Sequence, residues 1–355
     1  MKKRGILFAM LVLALAASLA ALSACGQSSP KPGTNESLDA STEPTLSEEP
    51  IVLKTEPFYV LVVGSDSREG TVGKHGQYAD GKGRSDTIML VRVDPKKYKL
   101  TVVTVPRDTT IELDGQPNKI NESFHRDGID GLIKEIKSLT GVTPDYYMIT
   151  TFVNFQNIVN DMGGLELVTP LAVSAIDALT GETMGFEQGE QTLDGAQALI
   201  FARDRHSYDM SGNAEPYRQF NDRYIFQTML EQILAKPDKA SDVATQLYPY
   251  VETNLSDREL AAYVQDFADN AKKVSFELYS GPNDGGVNDE VNLWLAYRDE
   301  ETWSKVIKAV ENGEDASEIV PNVNSFDFAG STVEVVEEGS GSTAGNESYD
   351  GEAQE

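Results

Sequence analysis

Short β-rich runs and helix-spaced segments alternate through the middle of this chain, and that alternation constrains its fold more than any other feature. Phe58-Tyr59-Val60-Leu61-Val62-Val63 is an apolar run closed by Gly64, the pattern of a buried strand. Residues 87–93 and 100–105 are β-rich and joined by Asp94-Pro95-Lys96-Lys97, which predicts a hairpin. Apolar positions at Ile129, Leu132, Ile133 and Ile136 predict a helix over 128–139, closed by Gly141. A strand over 146–152 and a short helix stopped by Gly163-Gly164 follow. Further helices are predicted over 193–202, 217–235 (introduced by Pro216), 256–271 and 300–312, with strands near 273–279 and 290–296. Interleaving of this kind predicts an α/β fold, a mixed central sheet with helices on both faces.

The two ends of the chain read differently. Met1-Lys2-Lys3-Arg4 is a basic start, residues 5–21 are almost unbroken apolar, and Leu22-Ser23-Ala24-Cys25-Gly26 follows. This is a secretory signal, residues 1–25, ending in a lipobox whose Cys25 is the lipidation site. An uncleaved membrane span is the other reading. Both put the remainder outside the cytoplasm on a membrane, and the lipobox predicts a lipid anchor on the extracytoplasmic face of a bacterial cell membrane. Residues 26–56, rich in Ser, Thr, Pro, Gly and Glu, read as a flexible tether. Residues 316–355 end in acidic, Gly- and Ser-rich sequence and read as a disordered tail, leaving 57–315 as one folded domain. Lys plus Arg number 30 against 57 Asp plus Glu, a net charge of −27, which excludes nucleic acid as a partner because phosphate backbones demand a basic surface.

In so acidic a chain the placement of arginine is informative. Arg68 follows the first strand in Gly64-Ser65-Asp66-Ser67-Arg68, Arg84 precedes the second in Gly83-Arg84-Ser85-Asp86-Thr87, and Arg107 follows the third in Pro106-Arg107-Asp108. Arg203 and Arg205 end a helix, and Arg218 and Arg223 lie in the next. Strand carboxyl ends are where open α/β sheets bind ligands, and the planar guanidinium suits phosphate. Each segment is also an ordinary turn or cap, and surface ion pairing is the competing reading. His75, His125 and His206 lack ligand spacing, which argues against zinc. Asp66 and Asp86 are hard oxygen donors suited to Mg²⁺ shared with substrate phosphates. No P-loop and no Gly-x-Ser-x-Gly elbow occurs.

Together with Lys119-Ile120-Asn121, Leu193-Asp194-Gly195-Ala196-Gln197-Ala198-Leu199 and Ala202-Arg203-x-Arg205, these blocks resemble, in order, the catalytic domain of the LytR-CpsA-Psr family. The likeness is strong over 57–235 and looser over 236–315. It implies an αβα sandwich with an apolar pocket for a polyprenyl chain, and at the pocket mouth a pyrophosphate held by arginines and Mg²⁺ (or Mn²⁺). It further implies phosphotransferase activity, moving a phosphoglycan such as teichoic acid or capsule from a polyprenyl-pyrophosphate carrier to peptidoglycan. Position by position, Asp66 and Asp86 become metal ligands and Arg84, Arg107, Arg203, Arg205 and Arg218 the pyrophosphate clamp, with Arg68 beside them as a further candidate for pyrophosphate binding. Arg107, Asp108 and Asp209 become candidates for the chemical step, Asp108 or Asp209 as general base.

One corner departs from the family. Its Arg-x-Arg pair is followed by Asp and then by Arg-x-x-Arg-Gln, whereas this chain reads Pro216-Tyr217-Arg218-Gln219-Phe220-Asn221-Asp222-Arg223. With Arg218 at the first arginine position, Asn221 occupies the second. A helical wheel puts Asp222 mid-face among Ile225, Phe226, Met229, Leu230, Ile233 and Leu234, with Arg218 and Arg223 flanking it. Arg223 is therefore expected to replace the missing arginine, with Asp222 orienting both guanidiniums. Two other functions stay open: a non-catalytic lipoprotein binding polyprenyl phosphates or anionic glycans, and a polyprenyl-pyrophosphate hydrolase.

Overall fold

The computed structural model describes residues 51–68, 83–205, 207–208 and 214–321. Strand β1 (Phe58–Ser65) pairs antiparallel with β2 (Ser85–Asp94), which pairs antiparallel with β3 (Lys99–Thr104) through the expected turn. A small hairpin, β4 (Thr110–Leu113) and β5 (Gln116–Lys119), leads into α1 (Ile120–Thr140). Helix α1 begins earlier than its apolar spacing suggests and is interrupted at Gly128, whose φ of 65° takes it out of helical geometry. Strand β6 (Tyr146–Thr151) then lies parallel to β1, and its last residue, Thr151, caps α2 (Phe152–Met162) by accepting the Asn154 N–H.

Four short strands come next: β7 (Leu165–Thr169), β8 (Val173–Ile176), β9 (Thr183–Phe186) and β10 (Gly189–Leu193), paired β7 with β10 and β8 with β9. Asp194 and Gln197 form a reciprocal capping box that starts α3 (Gly195–Arg203). After it come α4 (Ala214–Leu234), α5 (Ala240–Leu247), β11 (Glu252–Thr253), α6 (Asp257–Asp269) and β12 (Ser275–Ser280). A second hairpin, β13 (Gly285–Asn288) with β14 (Leu293–Ala296), precedes α7 (Glu300–Asn312). The central sheet runs β11-β6-β1-β2-β3-β12 and is mixed, as the alternation predicts.

Alternating side chains on these strands feed two cores. Leu61, Val63, Leu90 and Val103 pack with Phe124, Leu132 and Ile136 of α1 and Trp303, Val306 and Val310 of α7. Val60, Met89, Val91 and Val102 face the opposite way, toward Leu234 of α4, Ala240 of α5 and Phe267 of α6. Helices thus cover both faces, giving three layers. The folded chain runs further than its composition suggests at both ends. Lys54 ion-pairs with Asp145 at 2.5 Å, and beyond 315 the residues Ala316, Ile319 and Val320 pack into the α1–α7 core. The expected signal with Cys25, most of the tether and the acidic tail lie outside the described residues.

Candidate active site

One edge of the sheet gathers the polar motifs. Register places Ser65 opposite Ser85 and Thr151, and Thr104 beside Met89 and Ser280. The carboxyl ends of β1, β6, β3 and β12 and the amino end of β2 therefore share one edge. The segments carrying Asp66, Arg84, Asp86, Arg107 and the start of α2 leave the sheet there.

Below this edge, on the face covered by α4, α5 and α6, lies a cavity of about 300 Å³. Val62, Met89, Phe155, Ile225, Phe226 and Met229 contribute to apolar walls that extend to Leu247 and Val264. Its mouth is of opposite character, lined by Asp86, Arg107, Arg203, Arg205, Arg218 and Asp222. The cavity is an amphiphile's negative image, a greasy bore under a cationic rim.

The rim is internally tied. Arg107 Nη1 donates to Asp86 Oδ1 at 2.6 Å, while its Nε is buried with no hydrogen-bond partner among the described residues. Arg203 sets its guanidinium 4.8 Å from the Phe152 ring centre, and burial, chiefly, lowers its pKa. Arg218 is buried and gripped from two sides: Nε and Nη2 donate to Glu215, at 2.7 Å for the shortest contact, and Nη1 donates to Asp222 Oδ2 at 3.0 Å. Burial works against the Arg218 charge, but the two carboxylates outweigh it and hold the guanidinium protonated. Burial dominates at Asp222, whose pKa rises to about 6 although Arg218 and the Thr87 hydroxyl, 2.9 Å away, favour its charge. Glu215 is held below the usual carboxylate range; burial opposes this, and Arg218 overcomes it.

Asp66 stands just behind the rim. Its Oδ1 accepts the Arg84 backbone N–H at 2.6 Å, and its pKa is raised first by burial and further by the charge of Asp86. Among the described residues no group of three or more His, Cys, Asp or Glu is placed to hold a metal ion, and the candidates at this edge are the two carboxylates Asp66 and Asp86. Two hard donors and a rim built for anions fit Mg²⁺, which keeps waters and takes phosphate oxygens readily.

Several expected site residues lie elsewhere. Arg84 and Arg68 are exposed and do not line the cavity; the Arg84 Nε donates to Glu122 at 2.7 Å. The charge of Arg68 still reaches Arg203. Asp108 is also off the cavity, ion-paired with Lys119 at 2.7 Å. Asp209 falls outside the described residues. Arg223 does not reach the mouth: it is fully buried, donates to the Thr104 hydroxyl over β3, and burial lowers its pKa to about 9. Asn221 faces away from the cavity, donating to the Phe201 carbonyl at 2.9 Å. Glu215 went unnoticed in the sequence. The Arg-x-x-Arg-Gln pattern fits with Arg218-Gln219 at its end, and Glu215 then stands at its first arginine position.

The family model described as LytR_cpsA_psr matches residues 26–308. The chain belongs to this family. Among curated relatives it is 27% identical over 262 residues to the polyisoprenyl-teichoic acid–peptidoglycan teichoic acid transferase TagV of Bacillus subtilis, covering 70% of this chain and 64% of that protein. It is 29% identical over 213 residues to the TagU transferase of Bacillus mycoides, covering 59% of this chain and 64% of that one. The chain thus spans just under two thirds of these relatives. The crystal structure of B. subtilis TagV superposes with a TM-score of 0.59 at 23% identity, over 76% of this chain and all (100%) of that one. TagT bound to LI-WTA superposes at 0.55 with 19% identity, over 72% and 90%. The family's three-layer fold is therefore the fold of this chain.

Proposed function

We propose that this protein is a Mg²⁺-dependent phosphotransferase that moves a phosphoglycan from a polyprenyl-pyrophosphate carrier to peptidoglycan, working lipid-anchored on the outer face of the cell membrane. The carrying observation is the pairing of an apolar cavity with an arginine-lined mouth on one sheet edge. A polyprenyl pyrophosphate has those two halves, and neither half alone calls for that combination. The relatives are teichoic acid transferases acting on peptidoglycan, and TagT is a structural neighbour solved bound to LI-WTA, which favours this donor class. Attachment in this reading rests on the lipobox at Cys25; among the described residues no helix is long and apolar enough to cross a membrane.

In the proposed reaction an acceptor sugar hydroxyl attacks the glycan-bearing phosphorus in line. A new P–O bond forms, the bond to the bridging oxygen breaks, polyprenyl monophosphate leaves, and the hydroxyl proton is released. Arg107, Arg203, Arg205 and Arg218 meet the charge shifting onto the phosphate oxygens, preorganised by Asp86, Phe152, Glu215 and Asp222. Asp66 and Asp86 would hold Mg²⁺, which supplies Lewis-acid stabilisation of the same oxygens. The apolar bore fixes the lipid so that the pyrophosphate stops at the rim. The test is whether the purified protein links glycan to peptidoglycan from a polyprenyl-pyrophosphate donor. Product only with peptidoglycan present supports transfer; equal phosphate release without it means hydrolysis; donor binding without turnover means a binding lipoprotein.

A further inference from the structure

The β13–β14 hairpin exposes large apolar side chains that the lipid cavity does not explain, Val287 and Trp294 together on one face. Val287, Leu293, Trp294 and Tyr297 are 62%, 36%, 39% and 59% exposed, whereas Val52, Val168 and Ile176 are scattered elsewhere. Val287 and Trp294 pair directly across the hairpin and so share a face. Gly285 makes the platform flat: a Cβ there would come within 2.8 Å of Trp294 Cζ2. The turn is rigid, with Asn288 Oδ1 accepting the Glu290 N–H at 3.0 Å and Asn292 in the left-handed region at φ 52°.

The position of this hairpin gives the platform a role. It leaves the sheet from the carboxyl end of β12, on the edge that holds the cavity mouth. Its base is stitched to the segment that carries Arg107. The Ala296 N–H donates to the Asp108 carbonyl at 2.9 Å, and the Thr110 hydroxyl donates to the Ala296 carbonyl at 2.6 Å. Its polar rim carries Asp284, Asp289 and Glu290 beside Asn288 and Asn292, opposite in sign to the arginines of the mouth.

We propose that the hairpin is the acceptor platform: Trp294 and Val287 stack on the apolar faces of uncharged N-acetylated sugars in a glycan strand and lead that strand to the rim at Arg107. Sugar rings combine an apolar face with a polar edge, matching an aromatic platform fringed by amides and carboxylates. The carboxylates repel a phosphate-rich polymer, so donor and acceptor are sorted by charge to different sides of the mouth. The acceptor role rests on the transfer reading above, whereas sugar binding stands without it.

Trp294 provides its own probe. The chain holds two tryptophans, and Trp303 is fully buried, so a change in emission on ligand binding reports Trp294. Titration with a β-1,4-linked N-acetylglucosamine hexamer should shift and saturate the emission. By calorimetry, binding should weaken about tenfold or more in Trp294→Ala and in Val287→Asp, with melting temperatures unchanged. In the transfer assay Trp294→Ala should raise KM for peptidoglycan about tenfold and leave KM for the lipid donor unchanged. Saccharide binding in a protein without transfer activity would sink the proposed function and leave the platform standing. Transfer with no emission change, and with unaltered acceptor KM in Trp294→Ala, would overturn the platform and leave the function standing. A Trp294-dependent dimer in sedimentation, or an equal rise in donor KM, would overturn it as well.

Discussion

Replacing Asp222 with Asn should make this protein more stable at neutral pH and worse at its task. Asp222 is buried at the foot of the arginine rim, and its pKa is raised from 3.8 to about 6. A carboxyl that holds its proton more tightly in the folded state makes ionisation work against folding. The penalty is absent below the unfolded value, grows as pH rises, and is complete above the folded value. A shift of that size corresponds to about 3 kcal/mol at pH 7.5 and about 1 kcal/mol at pH 4.5. Asparagine mimics the protonated form, and Arg218 keeps its bidentate partner Glu215. The opposing expectation, that removing one partner of a buried ion pair costs 3–5 kcal/mol, assumes the survivor is left uncompensated, which Glu215 prevents. Urea unfolding of both proteins across this pH range measures the difference. The Asn variant should be favoured by about 3 kcal/mol at pH 7.5, with the gap closing toward acid, and turnover should fall because Arg218 is less firmly aimed. A variant less stable at every pH would refute the reasoning and make the Asp222–Arg218 pair a net source of stability.

Other consequences can be checked directly. Arg223→Met should leave affinity for polyprenyl pyrophosphate within about twofold, whereas Arg203→Ala should weaken it about tenfold or more by calorimetry, because Arg203 lines the cavity and Arg223 does not. Asp66→Asn and Asp86→Asn should each cut turnover about a hundredfold or more while circular dichroism stays unchanged; full activity in both would remove the metal from this edge. Truncation after Asp315 should lower stability by about 2–4 kcal/mol through loss of buried Ala316 and the packing of Ile319 and Val320. Truncation after Pro321 should leave it unchanged in the same unfolding assay.

Strands β1, β2, β3, β6 and β12 of the central sheet were legible because each carries a run long enough to show as a strand, as β1 does with Leu61 and Val63 on one side and Val60 on the other, whereas β11 is two residues long and was not. Among the rim arginines, Arg107 was legible after a strand and Arg203 and Arg205 at the end of a helix. The register of α4 was not. Residues Arg218 to Arg223 are all buried, so this stretch has no solvent face, and a wheel built on apolar residues cannot say which buried flank meets which neighbour. One flank meets the mouth and the other meets Thr104, which is why Arg218 lines the cavity and Arg223 does not. The place of Asp222 between them was legible, since it bonds Arg218 and its charge supports that of Arg223. Glu215 escaped notice because a carboxylate in a first helical turn is ordinary; its grip on Arg218 exists only once the helix forms. The strands β7 to β10 and β13 escaped because four or five residues are too few to show a period, whereas β14 falls within the strand expected near 290–296.

A single polyprenyl-pyrophosphate ligand should engage both halves of the cavity. Calorimetry should compare four probes at fixed Mg²⁺: a long polyprenyl pyrophosphate, the same lipid as monophosphate, a short prenyl pyrophosphate, and inorganic pyrophosphate. The long-chain pyrophosphate should bind at least about tenfold more tightly than each of the others, with Met229→Trp abolishing the chain-length effect and Arg205→Ala the pyrophosphate preference. Equal affinity for all four, or a chain-length effect untouched by Met229→Trp, would contradict the claim that this cavity and this rim hold a polyprenyl-pyrophosphate carrier.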